Sequence, residues 1–251
     1  MTYLRGILLD IEGTTTPISF VYDVLFPYAR AHAAEYFVAL AELSVLQTLE
    51  REHAEDVAKG LNPPPLPGGG KEPGAAAAYV HWLMDQDRKS TALKSIQGEI
   101  WLDGYRRGEL RGEVFEDVPR AFARWRRENL DIRIFSSGSV LAQRLLFSTT
   151  AAGDLTVFLN GYFDTTTGPK TDPASYARIA GVFALPPGEI LFISDVTQEL
   201  DAARGAGMHA LLCVRPGNRP QPPHDYGVVR AFDEVSSITT SGLPGPLSGP
   251  S

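Results

Sequence analysis

The chain has 251 residues, 43% of them hydrophobic, and carries 23 lysines and arginines against 30 aspartates and glutamates, a net charge of −7. The length suits one large domain or two small ones, and the apolar content is too high for a disordered chain. The acidic balance argues against a nucleic-acid partner, which selects a basic face, but it leaves room for a phosphorylated small molecule held by a few local donors.

Ile7-Leu8-Leu9, before Asp10, is the first short apolar run and reads as a buried strand. The aspartate cuts the N-terminal apolar stretch short, so no signal peptide is expected, and no apolar run approaches the ~18 residues of a membrane span. Residues 20–116 hold no convincing strand. Val24 to Leu40, Leu43 to Lys59, Ala75 to Asp87 and Thr91 to Tyr105 read as helical, and the breaker-rich stretch Asn62-Pro63-Pro64-Pro65-Leu66-Pro67-Gly68-Gly69-Gly70 reads as a loop among them. Beyond this block, Ile132 to Phe135, Ile190 to Ile193 and Ala210 to Val214 read as further buried strands. Val140 to Phe147, Pro173 to Phe183 and Thr197 to Ala206 read as the helices between. Asp172-Pro173 is a helix start, with Asp172 as N-cap and Pro173 at the first helical position.

Strand–helix alternation predicts an α/β fold: a Rossmann-like, doubly wound parallel sheet as catalytic core, with a helical cap domain inserted after its first strand. The expected core is residues 1–19 and 117–240 and the expected cap 20–116. The tail 241–251, Ser-Gly-Leu-Pro-Gly-Pro-Leu-Ser-Gly-Pro-Ser, is expected to be disordered. Cys213 is the only cysteine, so no intramolecular disulfide forms. That fits a reducing, cytoplasmic location, and its apolar neighbours mark it as a core residue rather than a reactive thiol.

In open parallel sheets, ligands bind beyond the carboxyl ends of the strands. Three such ends here carry Asp10-Ile11-Glu12-Gly13-Thr14-Thr15, Ser136-Ser137-Gly138-Ser139 and Ser194-Asp195, and Lys170 stands just before a helix in Gly168-Pro169-Lys170-Thr171-Asp172. Together they make a phosphate-transfer set: a carboxylate nucleophile, a second acid two residues on, hydroxyl and amide donors, a lysine, and an acidic metal ligand. Carboxylates suit Mg²⁺, and the metal and lysine offset the repulsion between an anionic nucleophile and an anionic phosphate. An aspartate nucleophile splits hydrolysis into two steps through an acyl phosphate. Taken singly, each piece has a plain structural explanation: a turn, a capping loop, a surface lysine, an N-cap. Order, spacing and shared position at strand ends give the set its weight. The histidines at 32, 53, 81, 209 and 224 lack metal-ligand spacing, and Gly68-Gly69-Gly70-Lys71 lacks the strand and hydroxyl of a P-loop.

These residues resemble the four motifs of the haloacid dehalogenase-like hydrolase superfamily: Asp10 to Thr14, Ser136 to Gly138, Lys170, and Ser194-Asp195. A narrower resemblance is to the methionine-salvage enolase-phosphatase family. It rests on Leu9 to Val21, Phe26-Pro27-Tyr28-Ala29, Asp87 to Lys94 with Gln97-Gly98 and Trp101, Ser136 to Val140, Gly161 to Thr165, Ser194 to Glu199, and Val214-Arg215-Pro216-Gly217-Asn218. It covers roughly Leu9 to Asn218, and Glu12 in place of the superfamily's usual second aspartate is distinctive of it.

The resemblance implies a bifunctional enzyme that enolises 2,3-diketo-5-methylthiopentyl-1-phosphate and then removes the phosphate to give an acireductone. It also implies one Mg²⁺ per chain, held by the Asp10 carboxylate, the Glu12 backbone carbonyl and Asp195. The phosphate would meet Ser136, Ser137, Gly138 and Lys170, and the Glu12 side chain would act as acid or base. Lys94 and Gln97, at i and i+3 on one helix, would contact substrate; a solvated helix face explains that pair equally well. The expected partner is a small phosphorylated molecule, with no nucleic acid and no membrane, and a monomer is expected. The Pro/Gly loop from Asn62 to Gly74 departs from the family pattern. A sugar-phosphate phosphatase or phosphomutase, a metal-free dehalogenase attacking carbon through Asp10, and a non-catalytic binding protein remain as alternatives. Glu12 and Asp195 speak against the dehalogenase, and the retention of Asp10, Lys170 and Asp195 against a binding protein.

Overall fold

The structure, a computed structural model, describes residues 3–39, 43–88 and 90–235. The chain divides into two compact units, Met1–Val21 with Arg111–Ser251, and Tyr22–Leu110. The junctions thus fall at 21/22 and 110/111 rather than at the expected 19/20 and 116/117. Residues 111–116 belong with the sheet because the Phe115 amide donates to the Thr15 carbonyl at 3.0 Å and the Gly112 amide to Thr149 Oγ1 at 3.1 Å. The expected disordered tail, 241–251, lies outside the described residues.

In the first unit, six parallel strands stand in the order β3-β2-β1-β4-β5-β6: β1 Gly6–Leu9, β2 Asp131–Phe135, β3 Gly161–Phe163, β4 Ile190–Ser194, β5 His209–Cys213 and β6 Gly227–Val229. The helices are α5 Asp117–Arg127, α6 Val140–Ser148, α7 Pro173–Phe183 and α8 Thr197–Gly205. The chain runs outward from β1 to β3, then crosses to β4 on the other side of β1. Parallel crossovers are right-handed, so this reversal places helices on both faces. Leu8, Phe192 and Ala210 lie side by side in register and pack with Tyr176 and Ile179 of α7 and Leu200 and Ala203 of α8. Alternate residues such as Ile7, Leu9 and Ile193 point to the opposite face and are equally buried. β1, β4 and β5 are buried along their whole length because both faces are covered, whereas β2 alternates buried and half-buried residues.

The second unit holds α1 Phe26–Ala39, α2 Leu43–Ala58, α3 Pro73–Asp85 and α4 Thr91–Arg107, with a π-helical turn, Phe20–Leu25, leading into α1. α4 begins at Ser90, whose Oγ accepts the Leu93 amide at 2.8 Å, and ends at Gly108 in the left-handed conformation that caps helices. Trp101 Nε1 donates to the Leu25 carbonyl at 2.8 Å, tying α4 to the π turn. Buried Asp56 accepts from the Tyr79 hydroxyl at 2.9 Å and pairs with Arg88. The proline-rich loop closes with a 3₁₀ turn, Pro67–Gly70, and is held by a His53 Nε2 hydrogen bond to the Pro64 carbonyl at 2.8 Å. No described helix is long and apolar enough to cross a membrane.

Candidate active site

β1 lies between β2 and β4, at the point where strand order reverses, and a parallel sheet opens a crevice there beyond its carboxyl edge. Asp10 follows β1, Ser136 follows β2, Ser194 ends β4 and Asp195 follows it. The Asp10 amide donates to the Ile193 carbonyl at 3.0 Å, extending the sheet by one residue before the chain turns away. The turn is tight. The Thr14, Thr15 and Thr16 amides converge on the Ile11 carbonyl at 3.1, 2.9 and 2.9 Å, and the Thr15 hydroxyl lies 3.2 Å from the Asp10 carbonyl. Gly13 sits inside the turn at φ +72°, where an L side chain is strained; a Cβ there would also meet Asp195 Oδ2 at 2.5 Å. Glycine is therefore required so that the β1 loop can pass beside the β4 carboxylate.

Lys170 comes from the loop before α7. That helix starts as expected: the Asp172 side chain accepts the Ala174 amide at 2.9 Å, with Pro173 in the first turn. The Lys170 ammonium lies 2.5 Å from Asp10 Oδ1 and 2.6 Å from Glu199 Oε2, and only 8% of the side chain is exposed. Burial alone would lower its pKa, but the two carboxylates outweigh burial and hold it above the ordinary lysine value. Glu199, on α8, also accepts from the Ser194 hydroxyl at 2.9 Å; burial pushes its carboxyl up while Lys170 pulls the other way. The Asp195 carboxyl is pushed up to about 7, first by burial and then by the charges of Asp10 and Glu199, with Lys170 opposing and Glu12 adding a smaller push.

Asp10, Asp195 and Glu199, with Glu12 close enough to act on Asp195, thus gather around the ammonium of Lys170. The excess negative charge and the all-oxygen donors fit a hard divalent cation such as Mg²⁺. Among the described residues no group of three or more His, Cys, Asp or Glu side chains is arranged to hold a metal.

Ser136 is buried, and its Oγ accepts the Gly138 amide at 3.2 Å; Ser137 is exposed. Gln143 of α6 steadies this loop by donating to the Gly138 and Phe163 carbonyls at 2.9 and 2.8 Å. Lys94 is half-buried and Gln97 buried on α4, within the other unit. All seven of Asp10, Glu12, Ser136, Ser137, Gly138, Lys170 and Asp195 lie in the sheet unit, where Lys170 contacts Asp10 directly and Asp10, Glu12 and Lys170 act on Asp195.

Other members had no assigned role in the sequence. Glu199 stands four residues after Asp195, a spacing that aligns acids on a nascent helix and could have flagged it. Arg215 and Asn218, after β5, close over the β1 loop. Arg215 Nε donates to the Thr14 carbonyl at 3.1 Å and its two Nη atoms to Asp117 at 2.9 and 2.8 Å, while its guanidinium lies 4.4 Å from the Phe115 ring and 4.9 Å from Phe232. Asn218 Nδ2 donates to the Gly13 carbonyl at 2.9 Å and the Cys213 carbonyl at 3.2 Å. No local spacing reports contacts made across some two hundred residues of chain.

Residues 4–207 match the sequence model of the haloacid dehalogenase-like hydrolases. Enolase-phosphatase E1 of Synechococcus elongatus is 48% identical over 236 residues, covering 92% of this chain and 98% of its own. Enolase-phosphatase E1 of Pseudomonas aeruginosa is 47% identical over 222 residues, covering 85% and 91%. Among solved structures, the UTR4 protein of Saccharomyces cerevisiae superposes with a TM-score of 0.74 at 33% identity, over 92% of this chain and 99% of that one. A parallel sheet with its acids and lysine at the switch point, together with these matches, shows that the chain belongs to the enolase-phosphatase E1 family of haloacid dehalogenase-like hydrolases.

Proposed function

We propose that this chain is the bifunctional enolase-phosphatase of methionine salvage, enolising 2,3-diketo-5-methylthiopentyl-1-phosphate and then hydrolysing the phosphate ester to the acireductone. The observation that carries the phosphatase half is the buried Lys170 ammonium held between Asp10 and Glu199 at the switch point. Asp10 is the nucleophile. One of its carboxylate oxygens attacks phosphorus as the ester bond breaks, and the phosphoryl group passes to Asp10 while the bonding electrons leave on the enol oxygen. Glu12 gives that oxygen a proton, and water then cleaves the aspartyl phosphate. Lys170 offsets the charge gathered in the transition state from a position that costs no reorganisation. Ser136, Ser137 and Gly138 supply hydroxyl and amide donors to the phosphate oxygens, and the family resemblance assigns Lys94 and Gln97 to substrate binding.

Asp10, the Glu12 backbone carbonyl and Asp195 would hold one Mg²⁺ per chain. When bound, the ion supplies Lewis-acid stabilisation of phosphoryl charge and of an enolate. Phosphate release from the diketo phosphate, measured after exhaustive EDTA dialysis and again on restoring Mg²⁺, tests the reading. Release should stop and return. Full release without metal would refute the metal's role, and equal turnover of simple sugar phosphates would refute the assigned substrate.

A further inference from the structure

Asn218 has a divided side chain. Its Nδ2 serves the Gly13 and Cys213 carbonyls, and this fixes which end of the amide is which, since a carbonyl oxygen cannot satisfy two other carbonyls. Its Oδ1 is buried and has no hydrogen-bond partner among the described residues. A buried acceptor left without a donor is unfavourable, and a donor brought by water or ligand is the usual way to satisfy one. The place it occupies is specific. A Cβ at Gly13 would lie 2.9 Å from Asn218 Oδ1 and 2.5 Å from Asp195 Oδ2, so the two oxygens crowd the same point beside the β1 loop.

Resting on the metal-dependent reading above, we infer that Asn218 is a positioning residue of the metal centre: its Oδ1 accepts a hydrogen bond from a water carried by the cation at Asp10 and Asp195. The chemistry is matched. Mg²⁺ keeps several of its waters when bound by few protein ligands, and such waters are strong donors in need of acceptors. Asp195 serves the cation itself, while the neutral amide oxygen accepts the water's hydrogen bond without adding a further negative charge to a site already rich in them. The same side chain, through Nδ2, fixes the Gly13 carbonyl, one residue from the Glu12 carbonyl assigned to the metal. The inference concerns Oδ1 alone: it is the acceptor that completes the outer edge of the ion's shell.

Mg²⁺ affinity in the absence of substrate, read by isothermal titration calorimetry on the full chain, tests the inference with Asn218→Ala and Asn218→Asp. Alanine removes donor and acceptor, and should weaken Mg²⁺ binding about 10–100-fold, the usual effect of losing an outer-shell partner. Aspartate loses the Nδ2 donor but keeps an acceptor at Oδ1, so it should bind Mg²⁺ as well as the wild type or better. If Asn218 only clamps the loop, both variants weaken binding, aspartate the more because it repels two carbonyls; that result, or unchanged affinity in Asn218→Ala, overturns the inference. The wild type supplies a check that needs no variant: the Asn218 side-chain carbonyl ¹³C resonance should shift with Mg²⁺ along the calorimetric isotherm, and an unmoved resonance contradicts it. A wild type that binds no Mg²⁺ refutes the metal-dependent reading itself, whereas normal wild-type binding with indifferent variants refutes this inference alone.

Discussion

Asp117→Ala removes the carboxylate at the head of α5 and should destabilise the sheet unit severely. The Asp117 carboxylate takes both Nη atoms of Arg215, at 2.9 and 2.8 Å, and the Phe232 amide at 2.6 Å. The pair is almost fully buried, with side-chain exposures of 3% for Arg215 and 8% for Asp117. Breaking such a pair from one side costs about 3–5 kcal/mol, most of it from the charge left uncompensated. For a chain of this length that is roughly 6–20 °C in Tm, at about 2–4 °C per kcal/mol. Replacing Arg215 by Met as well removes the stranded charge, so the double variant should be more stable than the sum of the single losses implies; urea unfolding of the four proteins measures the difference. The pH dependence has a definite sign. Burial alone would raise the Asp117 carboxyl, but Arg215 and the Phe232 amide outweigh it and hold it below the usual carboxylate value. A group held down in the fold stabilises above its unfolded pKa of about 3.9 and loses that contribution as pH falls through the lower folded value. The wild type should keep this stabilisation down to about pH 4 and shed it below, and Asp117→Asn should lack that acid-dependent part. A loss under about 1 kcal/mol in Asp117→Ala, or strict additivity with Arg215→Met, would refute the reasoning.

Other substitutions separate the parts of the site. Glu12→Gln keeps the backbone carbonyl but cannot give up a proton usefully, so phosphate release should fall about 10²–10⁴-fold with Mg²⁺ binding intact; accumulation of the phosphorylated enol, seen by its absorbance, would assign Glu12 to the second step alone. Glu199→Gln leaves Lys170 with one carboxylate instead of two, and should lower kcat more than it raises KM; unchanged kinetics would make the Glu199 contact incidental. Lys94→Ala and Gln97→Ala should raise KM or lower turnover of the diketo phosphate, and unchanged kinetics in both would remove them from the substrate site.

The sheet was legible where strands are largely apolar runs, with Arg133 the one break among those expected. Ile7 to Leu9, Ile132 to Phe135 and Ile190 to Ile193 all lie in strands, and of the expected Ala210 to Val214 all but Val214 does. β3 and β6 escaped because each is three residues long at an edge of the sheet, too short to show a period. α5 carried its signal in Val118, Ala121, Phe122 and Trp125, a buried stripe at helical spacing, but it begins immediately after the expected cap boundary and its stripe is interspersed with arginines. Asp10, Lys170 and Asp195 could be found because strand ends and a capped helix place them. Asn218, Arg215 and Asp117 could not, because their partners are set by how loops close in space: Asn218 reaches the Gly13 carbonyl and Arg215 the Thr14 carbonyl, while Asp117 waits at the start of a helix for a guanidinium from the far end of the chain.

The central claim is that Asp10 transfers the phosphoryl group of a substrate this chain has first enolised. Ultraviolet absorbance and phosphate release, followed together on 2,3-diketo-5-methylthiopentyl-1-phosphate with Mg²⁺, test it most directly in the wild type and in Asp10→Asn. The wild type should show absorbance rising first and phosphate following one for one. Asp10→Asn should release no phosphate, because an amide cannot form the acyl phosphate. Phosphate release by Asp10→Asn at more than a few per cent of the wild-type rate, or wild-type release without any enol absorbance, would contradict the account.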